Sequence, residues 1–169
     1  PEGLDLENAS IESINNAISL DFDVSVYEKM ASELKEGLSK EMEGFIKNLL
    51  TLGLPVQEEY IILLTRYGVG GSYGLPNKIQ INFNYGYHDP VEIIFHEIIH
   101  LTIEQLIRDN NIEHWTKERL VDLIFSNFFQ KNKAQRDPEN AEEIRNIFER
   151  YFPDIKKVIT ELSKSKVYI

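Results

Sequence analysis

Asp89-Pro90-Val91-Glu92-Ile93-Ile94-Phe95-His96-Glu97-Ile98-Ile99-His100-Leu101-Thr102-Ile103-Glu104-Gln105-Leu106-Ile107-Arg108 is the stretch on which the reading of this chain turns. It opens as a helix should. Asp89 can cap the first turn, Pro90 fits the first helical position, and Glu92 stands three after the cap, as in a capping box. No Gly or further Pro follows before about Arg108. Ile93, Ile94, Phe95, Ile98, Ile99, Leu101, Ile103, Leu106 and Ile107 point in nearly all directions around the axis, and a helix that is apolar all round is a buried one. His96, Glu97 and His100 are then polar groups inside a core, which cost several kcal/mol unless satisfied.

A metal ion would satisfy all three. His96-Glu97-Ile98-Ile99-His100 spells H-E-x-x-H, and residues four apart on a helix lie one above the other on the same face. Two imidazoles so placed can bind one zinc ion. Glu97 follows the first histidine, where its carboxylate reaches a water on the metal more readily than the metal itself. Zinc lowers the pKa of such a water to about 7, and a nearby carboxylate can take its proton as it attacks a carbonyl. The expectation is hydrolysis of peptide bonds by metal-activated water, with Glu97 as general base.

A catalytic zinc site usually takes a third protein ligand. Glu104 continues the histidine row but lies about 12 Å along the axis from His96, beyond the reach of bonds of about 2 Å. Leu106 stands where a third histidine of an extended motif would be. His88 precedes the cap, about two turns from His96, and is also too far. The next helical segment, from Trp115 to about Gln130, offers better. Its apolar stripe is Val121, Ile124, Phe125, Phe128 and Phe129, and Glu118 and Asp122 stand four apart at the edge of that stripe, where carboxylates are uncommon. Glu118 is therefore the expected third ligand. Asp122, one turn on, is expected to accept the free N–H of a ligating histidine and fix its tautomer.

Together, His96-Glu97-x-x-His100 and Glu118-x-x-x-Asp122 resemble the gluzincins, the thermolysin-like zinc metallopeptidases. The likeness covers at most Ile79 to Phe129. It implies that His96, His100 and Glu118 bind one zinc ion per chain, that Glu97 is general base and acid, and that Asp122 orients His96. It also implies an edge strand above the metal to which an extended peptide or protein substrate adds, for which Ile79-Gln80-Ile81-Asn82-Phe83 is the candidate. A His or Tyr near the metal would stabilise the oxyanion. His114, in the turn between the two motif helices, is the first candidate, with Tyr73, Tyr85 and Tyr87 as others. The chain departs from the family pattern in Lys117, which replaces the usual Asn before the ligand Glu, and in the short linker from His100 to Glu118. It reads as a minimal or divergent member.

The expected fold is α+β and predominantly helical: a single zincin-like domain over 1–169, with a candidate flexible segment at 1–10. A small, mostly antiparallel sheet is expected to pack on the active-site helix. Glu59 to Thr65 and the alternating Ile79 to Phe83 read as strands of a long-looped hairpin. Between them Gly68-Val69-Gly70-Gly71-Ser72-Tyr73-Gly74 reads as a glycine loop able to cover the site; it precedes a strand and lacks the lysine of a phosphate loop. Asp23 to about Leu52 reads as a long amphipathic helix, weakened or bent at Gly37 and Gly44 and ended by Gly53-Leu54-Pro55. Ile18 to Phe22 is a candidate extra strand, Lys131 to Arg136 a polar connector, and Asp137-Pro138-Glu139 starts a helix that Pro153 breaks before a last one from about Asp154 to Ser163.

Composition narrows the classes. A net charge of −10 argues against nucleic-acid binding, and 42% hydrophobic residues suffice for a core. There is no apolar run of membrane-spanning length and no cysteine, hence no disulfide or thiolate ligand. A monomer is expected. The compartment is open, because a signal segment removed before Pro1 would leave no trace. Two other readings stand beside the peptidase. One is a catalytically inactive zincin-like binding module with structural or absent zinc, against which the intact Glu97 argues. The other is a carboxylate-bridged di-iron protein built on Glu97-x-x-His100, which lacks the second such motif that fold requires.

Overall fold

The structure is a computed structural model that describes residues 10–13, 23–84, 89–130 and 138–165. Among the described residues, a helical stretch at 11–13 is followed by five longer helices and three strands in chain order. They are α1 (Val24–Thr51), β1 (Ile61–Thr65), β2 (Gly71–Gly74), β3 (Lys78–Asn82), α2 (Pro90–Asp109), α3 (His114–Phe129), α4 (Ala141–Tyr151) and α5 (Ile155–Lys164). The α+β, mostly helical class is as expected. The expectations at 1–9, Ile18 to Phe22, Tyr85, Tyr87, His88, Lys131 to Arg136 and Asp137 lie outside the described residues. No helix among the described residues is long and apolar enough to cross a membrane.

α2 is the centre of the molecule. It touches α1, α3, α5, β2 and β3. Fourteen of its residues are buried, among them Ile94, Phe95, Ile98, Ile99 and Ile103. Its start follows from sequence: the Asp89 carboxylate accepts from the Val91 N–H at 2.9 Å, and Pro90 occupies the first turn. α1 crosses α2 at Gly37, where a β-carbon would come within 2.7 Å of Val91 Cγ2. Gly37 is thus a point of close approach, and α1 runs through it as one continuous helix. Phe45 stacks on Phe95 at 4.4 Å, and Phe95 on Phe129 at 5.3 Å, joining α1, α2 and α3 in one aromatic core.

The turn from α2 to α3 is short because both ends are capped within four residues, Asn110-Asn111-Ile112-Glu113. Asn111 takes a left-handed φ of 49°, and Ile112 N–H bonds back to Ile107 C=O at 3.0 Å. This is a Schellman stop with Asn in place of Gly. Glu113 then caps α3, its carboxylate accepting from the N–H groups of Trp115 and Thr116 at 3.0 and 3.1 Å. A glutamate is an uncommon cap, and it moves the helix start back to His114, which is the first helical residue and not part of the turn.

The sheet corrects two expectations. Its order is β1-β3-β2, with β1 parallel to β3 and β2 antiparallel to β3. It is mixed, not mostly antiparallel, and β1 and β3 are not a hairpin. The cause lies in the glycine stretch, whose second half forms β2. From β1 the chain passes β3's position through Arg66 to Gly70 and pairs on its far side. Gly68 takes a φ of 86° on this path, and Asn82 Nδ2 donates to Gly68 C=O at 2.9 Å. The strand predicted at Ile79 to Phe83 is real, with Ile79 and Ile81 fully buried against α2 and Gln80 exposed. It is the central strand, however, with both edges occupied. Ile79, Gln80, Ile81, Asn82 and Phe83 therefore cannot receive a substrate strand.

Candidate metal centre

His96 and His100 lie one turn apart on α2, and the capped turn brings α3 back antiparallel so that Glu118 faces them. His96 Nε2 and His100 Nε2 are 3.1 Å apart. Glu118 Oε2 lies 3.2 Å from His100 Nε2 and 3.7 Å from His96 Nε2. All three side chains are buried, and the trio forms a group able to hold a metal ion. Three donors on a tetrahedral ion at bonds of 2.0–2.2 Å are separated by about 3.3 Å. The observed spacings bracket that value, so the residues fit the ion.

The electrostatics agree. Burial pushes the Glu118 carboxyl up, but hydrogen bonds and charge from His100 and His96 more than offset it and hold the group well below the usual carboxylate range. Glu118 is thus an anion facing two imidazoles. His100 Nδ1 is buried, with no hydrogen-bond partner among the described residues. On His96 the opposite ring nitrogen from the cluster, Nδ1, lies 3.7 Å from Asp122 Oδ1. That separation exceeds a direct hydrogen bond, yet it places the carboxylate at the nitrogen expected of it.

Glu97 points toward the sheet. A β-carbon on Gly71, the first residue of β2, would come within 2.5 Å of Glu97 Oε1 and of Ile93 Cγ2. Glycine at 71 is therefore what lets the strand lie on α2. β2 is also the sheet edge beside the site, since β3 covers only its other side. His114 sits at the periphery. Its ring is largely exposed and packs edge-on against Trp115, with Nδ1 3.7 Å from Glu118 Oε1.

Tyr73, one of the tyrosines considered for the oxyanion, is otherwise engaged. Its hydroxyl donates to Glu104 Oε2 at 2.7 Å and accepts from Lys117 Nζ at 2.8 Å. Burial, the bond to Glu104 and the negative charges of Glu104, Glu118 and Glu97 push the phenol's pKa up, so it remains protonated. Glu104 is no ligand, as its axial distance required, but it is buried and busy: Arg108 Nε donates to its Oε1 at 2.7 Å. The sequence reading rejects Glu104 as a ligand and gives neither it nor Lys117 a role. The signal for Glu104 was present, because a carboxylate on a helix apolar all round needs a buried partner.

Compared with family models, curated proteins and solved structures, the chain finds no match.

Proposed function

We propose that the protein is a zinc-dependent metallopeptidase of gluzincin type, with a zincin-like fold. The supporting observation is the convergence of His96 Nε2, His100 Nε2 and Glu118 Oε2 at tetrahedral spacing, with Glu97 next to His96 in the chain. Three protein donors are the count of a catalytic zinc site, where structural sites commonly have four. The donor set of two imidazoles and a carboxylate suits zinc.

His96, His100 and Glu118 hold the ion, which when bound supplies Lewis acidity that polarises a carbonyl and acidifies a water. Glu97 takes a proton from the attacking water and returns it to the leaving amine nitrogen, the two halves of general base and acid catalysis. Asp122 restrains the His96 ring through Nδ1. The substrate main chain pairs with the outer edge of β2, a role that falls to Gly71–Gly74 in place of β3. His114 is the remaining oxyanion candidate among the described residues considered for it, one carboxylate's width from the cluster.

One observation favours the second reading, a binding module with structural zinc: His96, Glu97, His100 and Glu118 are all buried. Glu97→Gln separates the two. With purified protein, metal analysis and a fluorescence-quenched random peptide library, the peptidase reading expects about one zinc per chain in both forms. It expects cleavage by the wild type only. Zinc without cleavage by the wild type supports the module, and no bound metal in either form overturns the peptidase and leaves a module without zinc.

A further inference from the structure

The Nδ1 atoms of the two histidines of the cluster differ in what lies near them. His96 presents Nδ1 toward a carboxylate, that of Asp122. His100 Nδ1 is buried and has no hydrogen-bond partner among the described residues. A metal-ligating histidine usually has its ring fixed by a hydrogen bond from the nitrogen that does not bind. In His100 something else must do this.

The Tyr73 ring lies flat on the His100 ring, with centroids 4.8 Å apart and planes 10° from parallel. Tyr73 reaches it from β2, whereas His100 belongs to α2. The phenol is fixed at its far end. It donates to Glu104 and accepts from Lys117, whose ammonium also lies 3.7 Å from Glu104 Oε2. Glu104 is in turn bound by Arg108. Glu104 comes from the same helical row as His100, one turn on, and Lys117 immediately precedes the ligand Glu118. Tyr73 is therefore fastened to both helices that carry metal ligands. Rotation of the His100 ring about its Cβ–Cγ bond would drive it into the phenol face.

We infer that Tyr73 is the positioning residue of His100, its stacked ring doing what an Nδ1 hydrogen bond would do, and that Glu104 and Lys117 act through it by anchoring the hydroxyl. The inference rests on the metal-site reading above. It also gives Lys117 a function: the ammonium reaches the tyrosine while leaving the Glu118 carboxylate to the histidines.

The test is titration of the chelator-treated full chain with cobalt(II), reading affinity and the visible d–d bands, which report ligand geometry. The wild type should bind cobalt with the bands of a four- or five-coordinate site. If it binds none, the metal reading itself fails. Given wild-type binding, Tyr73→Leu should lose about 10- to 100-fold in affinity, the usual cost of removing a group that orients a ligand, and should shift or broaden the bands. Tyr73→Phe keeps the stack and loses the anchor. It should retain wild-type bands with a smaller loss, about 3- to 10-fold, and Lys117→Met should match it, as both fall below the full orienting effect. A folded Tyr73→Leu with wild-type affinity and bands overturns the inference. Wild-type affinity in both Tyr73→Phe and Lys117→Met overturns the anchoring role, and, should Tyr73→Leu fail to fold, overturns the inference as a whole.

Discussion

Gly71 and Glu97 are in such close contact that the β-carbon of any other residue at 71 would stand 2.5 Å from Glu97 Oε1. The edge strand thus rests directly on the proposed general base. Gly71→Ala should displace the carboxylate and leave the metal ligands in place. We expect unchanged zinc content and a fall in turnover approaching the about 10²- to 10⁴-fold that a general base contributes. Metal analysis with steady-state kinetics checks this. Full turnover in Gly71→Ala would show that Glu97 does not need its present position.

The two glycines inside α1 differ in kind, and alanine distinguishes them. At Gly37 a β-carbon would press on Val91 Cγ2 at 2.7 Å, and a β-branched side chain in a helix has little freedom to yield. Overpacking of this sort costs about 1–3 kcal/mol, more than the roughly 1 kcal/mol gained in helix propensity. At Gly44 nothing lies within 4 Å. Gly37→Ala should therefore lower the melting temperature, and Gly44→Ala should raise it, by up to about 1 kcal/mol in stability. Thermal denaturation followed by circular dichroism at equal metal loading measures both.

Glu118 and Asp122 should separate as ligand and support. Glu118→Ala removes a donor atom and should abolish stoichiometric zinc binding. Asp122→Ala should retain zinc with affinity weakened about 10- to 100-fold, as for other partners of ligating histidines. Competition against a chromophoric chelator gives both constants. Equal affinities for the wild type and Glu118→Ala would remove Glu118 from the ligand set.

Glu104 makes acid stability diagnostic. Burial raises its carboxyl, but hydrogen bonds from Tyr73 and Arg108 and the charge of Lys117 outweigh this and bring it below its ordinary 4.5. In the window below that value the unfolded chain holds a proton that the folded chain lacks, so stability falls as pH falls. The contribution is complete above about pH 4.5 and is lost on going lower. In chelator-treated protein, Glu104→Gln should show a shallower decline of denaturant midpoint between about pH 5 and 3 than the wild type. Parallel curves would mean that Glu104 titrates alike in both states.

The candidate metal cluster was legible for a definite reason. His96 and His100 share one helix, so their spacing alone fixes their relation. Glu118 was legible more indirectly, as a carboxylate placed where an apolar stripe should continue. The helix limits at Asp23, Asp89, Pro153 and Asp154 were legible because each depends on neighbouring residues. The turn between the motif helices was less so, since Glu113 is an uncommon cap and Asn111 an uncommon Schellman residue. The sheet misled. Alternation at Ile79 to Phe83 shows which side chains are buried, yet it is the same for a central and an edge strand, and for parallel and antiparallel neighbours.

By itself, then, the chain determined what local spacing can determine: a buried helix with two imidazoles on one face, an acidic pair on the next helix, and a mostly helical domain around them. Only the tertiary structure decided which strand is central in the sheet, that Gly71 bears on Glu97, and that Tyr73, Glu104 and Lys117 join across three elements beside His100. The physical reason is range. Helical periodicity and caps act over a few residues, whereas strand order and side-chain stacking depend on where distant segments pack, and no local pattern records that.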